Sequence, residues 1–368
     1  MFKFGRRQFL AATAFACLVR PALAQSQITF GLLMPTKTVL GKQGVQAAQV
    51  AADMLNAEGG VLGKQVKLAV YDDNYAPAEA ASAAQRAITQ DGARYLGGSI
   101  SSSVSLAVIP IAQAEDALYI ASIAKSARIT ETGYASAFQL NSTTKEDGAG
   151  LAKLFADIKA QKVAYMGENS DFSRELAQTV AQLTQAGGGK VVYSDFWDLK
   201  QTDFNAQVTL AKASGADTFV LMGGVSESIA SVVRSAKDLG FNPNNLVLGP
   251  GALNTNIVKL LGSAAEGVVS VDIYLPNIDN PLNKRFVDAY KAKWGVPPEK
   301  TELLAFETIW LLGKAINKAG KDDVATVTKV LSEGEWDSPR GKIRFSPEKR
   351  VITEGFMIAV RNGQIVEK

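Results

Sequence analysis

The stretch Arg94-Tyr95-Leu96-Gly97-Gly98-Ser99-Ile100-Ser101-Ser102-Ser103 decides how the chain is read. A short apolar run ends in two glycines, and three serines then open a helix expected from about Ser103 to Ala114. In open parallel sheets, ligands lie beyond the carboxyl ends of the strands, where loops lead into helix starts. Glycines there let backbone approach a ligand, and the serines offer hydroxyl donors beside the unpaired N–H groups of a helix start. That chemistry suits one carboxylate. Serines also cap helices with no ligand involved, and the residues alone leave both readings open.

Outward from this turn, strand and helix alternate almost without interruption. Ile28–Leu33 reads as an apolar strand, and Gly44–Ala57 as a helix with Val45, Ala48, Ala52 and Leu55 on one face, stopped by Gly59-Gly60. Val66–Tyr71, Leu118–Ala121, Lys162–Met166, Val191–Ser194, Asp217–Met222 and Leu246–Leu248 are further strands. Ala78–Thr89, Ser173–Gln185, Asn205–Ala213 and Ser226–Leu239 are the helices between them. Parallel strands need such crossovers, so the fold class is α/β with parallel sheets covered by helices. A change near Asn141–Asp147 suggests two lobes of similar build. Late in the chain, helical Pro281–Trp294 and Glu302–Ala319 give way to strand-like Lys342–Phe345 and Gly355–Val360. The chain is therefore expected to cross between lobes more than once.

Residues 1–24 read as a cleaved export signal. Lys3, Arg6 and Arg7 precede an apolar run from Phe9 to Val19, and Ala22-Leu23-Ala24 supplies a small-residue cleavage pattern. The run is too short to span a bilayer. Arg6-Arg7 with Gln8, Phe9 and Leu10 resembles a twin-arginine signal, and Cys17 is expected to leave with the leader. Removing 1–24 takes four basic residues and no acidic one, so 39 basic against 36 acidic becomes 35 against 36. No strong electrostatic pull toward nucleic acid or membrane remains. The 344 residues left suffice for two lobes, each with its own core. They hold no cysteine, and the whole chain holds no histidine. Without these, Ser–His and Cys–His nucleophile pairs and the usual zinc ligands are missing, so no enzyme, metal or cofactor is expected.

From about Gln27 to Lys368 the chain resembles the leucine/isoleucine/valine-binding family of periplasmic proteins. The resemblance rests on several segments together. They are Ala51-Ala52-Asp53 with Asn56-Ala57-Glu58-Gly59-Gly60-Val61-Leu62-Gly63-Lys64, then Tyr71-Asp72-Asp73, then Gly98 with Ser101-Ser102-Ser103. Thr202-Asp203-Phe204-Asn205-Ala206-Gln207, Gly215-Ala216-Asp217 and Gly341-Lys342-Ile343-Arg344-Phe345 complete it. The resemblance implies a type I periplasmic binding protein fold: two Rossmann-like lobes joined by three crossovers and closing over a ligand. One lobe would hold 27–143 and about 274–337, the other 144–273 and about 338–368.

The same resemblance implies site residues. Ser102 falls on the family's carboxylate-binding hydroxyl, with Ser103 beside it. Ile123, Ala124 and Lys125 fall on a segment offering backbone groups and a threonine hydroxyl, with Lys125 in place of that threonine. Phe172 takes an aromatic position beside the ligand, Val225 replaces a frequent tyrosine, and Leu40 falls where another tyrosine is common. The acidic residue that meets the ammonium of an α-amino acid falls on Gly251, in Leu248-Gly249-Pro250-Gly251. Burying an ammonium without a carboxylate partner costs several kcal/mol. The expected ligand is therefore an aromatic or branched aliphatic acid such as a 2-oxo acid, with branched-chain amino acids as the alternative. Asp72-Asp73 reads as a turn and cap, and Trp294, Trp310 and Trp336 as packing residues. Lys342, Arg344, Lys349 and Arg350 read as an exposed basic cluster. A leader followed by this two-lobed unit favours a monomeric transport receptor working with a membrane permease over a sensor or an enzyme.

Overall fold

The computed structural model describes residue 1, residues 26–353 and residues 355–368. The expected signal, its arginine pair and Cys17 lie outside the described residues.

The chain builds β1 (Gln27–Met34), α1 (Val39–Ala57), β2 (Gln65–Asp72), α2 (Pro77–Thr89), β3 (Tyr95–Gly98), α3 (Ser102–Ala114), β4 (Leu118–Ala121) and β5 (Ala137–Gln139). These strands form one sheet in the order β2-β1-β3-β4-β5, every pair parallel. A second unit follows with α4 (Thr144–Asp157), β6 (Lys162–Glu168), α5 (Asp171–Ala186), β7 (Lys190–Trp197), α6 (Asn205–Ala213), β8 (Thr218–Met222), α7 (Ser226–Asp238), β9 (Asn245–Leu248), α8 (Thr255–Leu261) and β10 (Val269–Asp272). The chain then gives α9 (Pro281–Trp294), α10 (Lys300–Ala319), α11 (Val324–Glu333), the hairpin β11 (Glu335–Ser338) and β12 (Gly341–Arg344), and finally β13 (Phe356–Arg361) and β14 (Gln364–Glu367). The second sheet runs β14-β13-β10-β9-β8-β6-β7, parallel except for β13 and β14, which join antiparallel.

The central strands of each sheet, such as β3, β4 and β8, are buried on both faces, which is why they read as continuous apolar runs. Phe30, Leu32, Tyr95 and Ile120 meet Leu303, Phe306 and Trp310 of α10 in the first core. Val163, Tyr165, Phe219 and Leu248 form the second with Leu176 and Val233. Trp294, Trp310 and Trp336 all pack on the first core. So do Ile343, Phe345 and Val351, and the last return to the second lobe therefore falls after residue 351, later than the expected 338. The hairpin β11–β12 ends in the apolar Ile343 and Phe345, which hold it on the first lobe.

Helix α4 has no counterpart in the sequence expectations. Gly148 and Gly150 dilute its apolar spacing and lower its intrinsic propensity. Buried Leu151, Leu154 and Phe155 hold it in place, and a Thr143–Glu146 capping box starts it. In the basic cluster, Lys342 pairs with Asp337, Arg344 with Glu335 and Arg350 with Glu146, while Lys349 donates to the Ala135 carbonyl.

Candidate functional site

The carboxyl ends of β1, β3, β4, β6 and β8 face one interlobe cleft. Leu40, Tyr75, Ser102, Ile123, Lys125, Glu168, Phe172, Gly224, Gly251 and Lys300 are among the residues that line it. Its first wall begins at Gly98, where φ is +124°, a conformation favoured by glycine. A Cβ there would also overlap the Leu33 carbonyl. Past this turn α3 begins without a side-chain cap, so its first N–H groups have no partner within the helix.

Ser102 is buried at the head of α3. Its Oγ accepts the backbone N–H of Lys125 at 3.1 Å and of Ser126 at 3.0 Å. Two N–H groups occupy the two lone pairs of a hydroxyl, which leaves its own proton as a donor. The same geometry fixes the 122–126 loop. Ile123 and Ala124 N–H both donate to the Ser99 carbonyl at 3.1 Å. The Ile123 carbonyl accepts from Asn141 at 2.6 Å, and the Ala124 carbonyl from Gln139 at 3.0 Å. The backbone groups that the family resemblance assigned to a ligand are thus bonded within the lobe.

Two buried lysines enter the site. Lys125 Nζ lies 2.8 Å from Asp147 of α4, 2.9 Å from Ser142 Oγ and 5.6 Å from the centre of the Phe172 ring. Lys300 opens α10 and reaches Asp272, at the end of β10, at 3.7 Å. Its tip fills the space that a side chain at position 251 would need: a Cβ on Gly251 would overlap Lys300 Nζ and Cε. Burial pulls the Lys300 ammonium down to about 8, with Asp272 opposing. Burial likewise pushes Asp272 above the usual carboxylate range, with Lys300 holding it back.

One carboxyl also lines the cleft. Glu168, at the end of β6, is 5% exposed and accepts the Gly224 N–H at 3.0 Å. Burial raises it above the ordinary glutamate range. Across from it stands Tyr75, whose loop is set by the two aspartates before it. Asp72 Oδ1 accepts from Thr36 and Asn74, while buried Asp73 takes the Tyr75 N–H at 3.0 Å and the Ser99 hydroxyl.

Of the residues expected from the sequence, Ser102, Ile123, Lys125, Phe172, Gly251 and Leu40 come together around this cleft. Three do not. Ala124 packs into the first lobe against Val104 and Ile129. Val225 is the residue before α7, half-buried and outside the cleft lining, because Gly223 and Gly224 form that wall. Ser103 donates to Asp171 of the second lobe at 2.8 Å. Tyr75, Glu168 and Lys300 were not anticipated. The strand-end rule could have found Glu168, which closes the strand begun at Lys162. Lys300 carries no local signal, since its role depends on α10 crossing to Gly251.

The match to known proteins follows the same lines. A family model described as "Periplasmic binding protein" covers residues 27–364. The chain belongs to the periplasmic binding protein family. A leucine-, isoleucine-, valine-, threonine- and alanine-binding protein of Pseudomonas aeruginosa is 28% identical over 345 residues, covering 92% of this chain and 91% of that one. The leucine-binding protein of Thermotoga maritima superposes with a TM-score of 0.85 at 25% identity, covering 93% of this chain and 97% of that one. A solute-binding protein from R. palustris, solved with benzoate, reaches 0.85 at 19% identity over 93% and 95%. At that identity the last likeness speaks for the fold alone. This periplasmic binding protein therefore has the two lobes and parallel sheets expected of it.

Proposed function

We propose that this periplasmic binding protein captures a small carboxylic acid that lacks an α-ammonium group and delivers it to the permease of an ABC importer. An aromatic or branched aliphatic acid, such as a 2-oxo acid, fits best. The observation that carries this reading is Lys300 standing over Gly251. At position 251, where the family resemblance puts the anion for an amino acid's ammonium, this cleft has the buried Lys300 cation, paired with Asp272, and no room for a side chain. An ammonium beside it would meet like charge in a poorly solvated space.

The carboxylate would sit at the start of α3, taking the Ser102 O–H and the unpaired helix N–H groups. Phe172 and Leu40 would cover its apolar body, and Ile123 would close the lobe-one side. The benzoate bound to the R. palustris protein is consistent with this choice, since the fold can enclose an acid without an amine. No covalent step is assigned, and the protein would act as a monomer. We assign export to the leader, by the twin-arginine route on the strength of Arg6-Arg7.

A second reading has its own support. Glu168 lies in the cleft, so an α-amino acid could direct its ammonium there, as the names of the amino-acid-binding relatives suggest. Purifying the exported protein, denaturing it and identifying the released small molecule by mass spectrometry separates the two. A carboxylic acid without an amine is expected. Release of leucine, isoleucine or valine contradicts the first reading.

A further inference from the structure

Tyr75 reaches from the first lobe across the cleft to Gly224 in the second. The residue is 8% exposed, and its hydroxyl is buried without a hydrogen-bond partner among the described residues. Buried hydroxyls are normally paired, and an orphan inside a binding cleft points to a partner that arrives with the ligand. The chain goes out of its way to hold the phenol there. Asn74 and Tyr75 both adopt left-handed backbone, at φ +48° and +56°, in a tight turn whose N–H groups are taken by Asp72 and Asp73. Gly224 makes the space, since a Cβ at that position would overlap the Tyr75 hydroxyl. The Gly224 N–H in turn holds the carboxyl of Glu168, so phenol and carboxyl flank the same glycine. Both residues line the cleft that holds Ser102.

From this geometry we infer that Tyr75 and Glu168 form a second polar subsite, which selects acids carrying a hydroxyl group away from the carboxylate. A ligand hydroxyl both donates and accepts, so it can take the Tyr75 proton and give its own to the free Glu168 oxygen. A purely apolar tail would leave the Tyr75 hydroxyl unpaired in a buried space, which is how a polar site rejects a ligand lacking the matching group. Burial keeps the Tyr75 phenol protonated well beyond neutral pH, so its donor role persists. The inference rests on the carboxylate reading above, and names the substrate class within it.

The test compares acids that differ by one oxygen: phenylpyruvate against 4-hydroxyphenylpyruvate, and phenylacetate against 4-hydroxyphenylacetate, by calorimetry on the intact protein. At least one hydroxylated member should bind ten-fold or more tighter than its partner. Tyr75→Phe, which removes a single oxygen, should erase that preference, by weakening the hydroxylated acid and by relieving the penalty on the unsubstituted one. Gly224→Ala, which pushes a methyl into the phenol's space, should do the same. Equal affinities within both pairs overturn the subsite, and so does a preference that survives Tyr75→Phe. A Tyr75→Phe protein that loses both members of a pair alike also overturns it, since the phenol would then be structural. Failure of all four acids to bind overturns the subsite, and failure of 4-methyl-2-oxopentanoate as well overturns the carboxylate reading itself.

Discussion

Lys300 and Gly251 share one volume: the lysine tip occupies the place where any side chain at position 251 would begin. The two residues lie far apart in sequence, on the first turn of α10 and in the loop after β9. In the proposed reading, they reverse the charge of the position that faces the ligand. Lys300→Met keeps most of the packing and removes the cation. Binding of a carboxylic acid ligand should weaken by about 1.5–3 kcal/mol, as for loss of a hydrogen bond to a charged group. Calorimetry checks this, and unchanged affinity would remove Lys300 from the site.

Ser102 has two duties. It accepts two loop N–H groups, and in the proposed reading its own proton goes to the ligand. Ser102→Ala should therefore lower stability by about 1–3 kcal/mol, because buried donors lose their acceptor. Affinity should also fall, by about 1.5–3 kcal/mol. Urea unfolding and calorimetry on the same sample separate the two. A stability loss with full affinity would make Ser102 purely structural.

The lobes meet through a polar clasp. Asp171 receives Ser103 Oγ and Arg128, and Glu175 receives Ser126 Oγ and the Ala127 N–H. Arg128 is well exposed, so the Arg128 pair contributes little by itself. A contact made only when closed still adds to the preference for the closed form. Asp171→Ala should weaken any ligand by roughly two- to five-fold, in line with about 0.4–1 kcal/mol for such pairs. Small-angle scattering should still detect compaction at saturating ligand. No loss of affinity would mean the clasp does not contribute to closure.

Asp73 makes stability respond to pH. Burial pushes its carboxyl up to about 6, against 3.8 for the unperturbed group. A raised acid binds its proton more tightly in the folded state, so the contribution to stability is fully present below pH 3.8. It is lost as pH rises through 6. Relative to Asp73→Asn, the wild type should therefore gain stability between pH 7 and pH 4, on the order of 2–3 kcal/mol. Urea unfolding at several pH values checks the sign, and a gain toward higher pH would contradict it.

The strand-and-helix alternation was legible because parallel strands buried on both faces read as continuous apolar runs. Asn205–Ala213 and Pro281–Trp294 match the expected bounds. Helix α4 was missed because Gly148 and Gly150 interrupt its apolar face, and what fixes it is packing from elsewhere. In the cleft, Ser102 could be read from a strand-glycine-serine order that is contiguous in sequence. Lys300 and Tyr75 could not, since each acts by filling space opposite a glycine some fifty or more residues away. The hydrogen bonds of the 123–125 backbone were not legible for a related reason: those to Ser99, Ser102, Asn141 and Gln139 are tertiary.

The charge reversal at Lys300 and Gly251 is tested most directly by titrating the ligand-free protein with leucine, 4-methyl-2-oxopentanoate and phenylpyruvate in a calorimeter. Leucine and its 2-oxo acid share one carbon skeleton and differ in the group that Lys300 would oppose or welcome. The account predicts binding of at least one oxo acid and at least ten-fold weaker binding of leucine. Tight leucine binding with no heat from either oxo acid would contradict it.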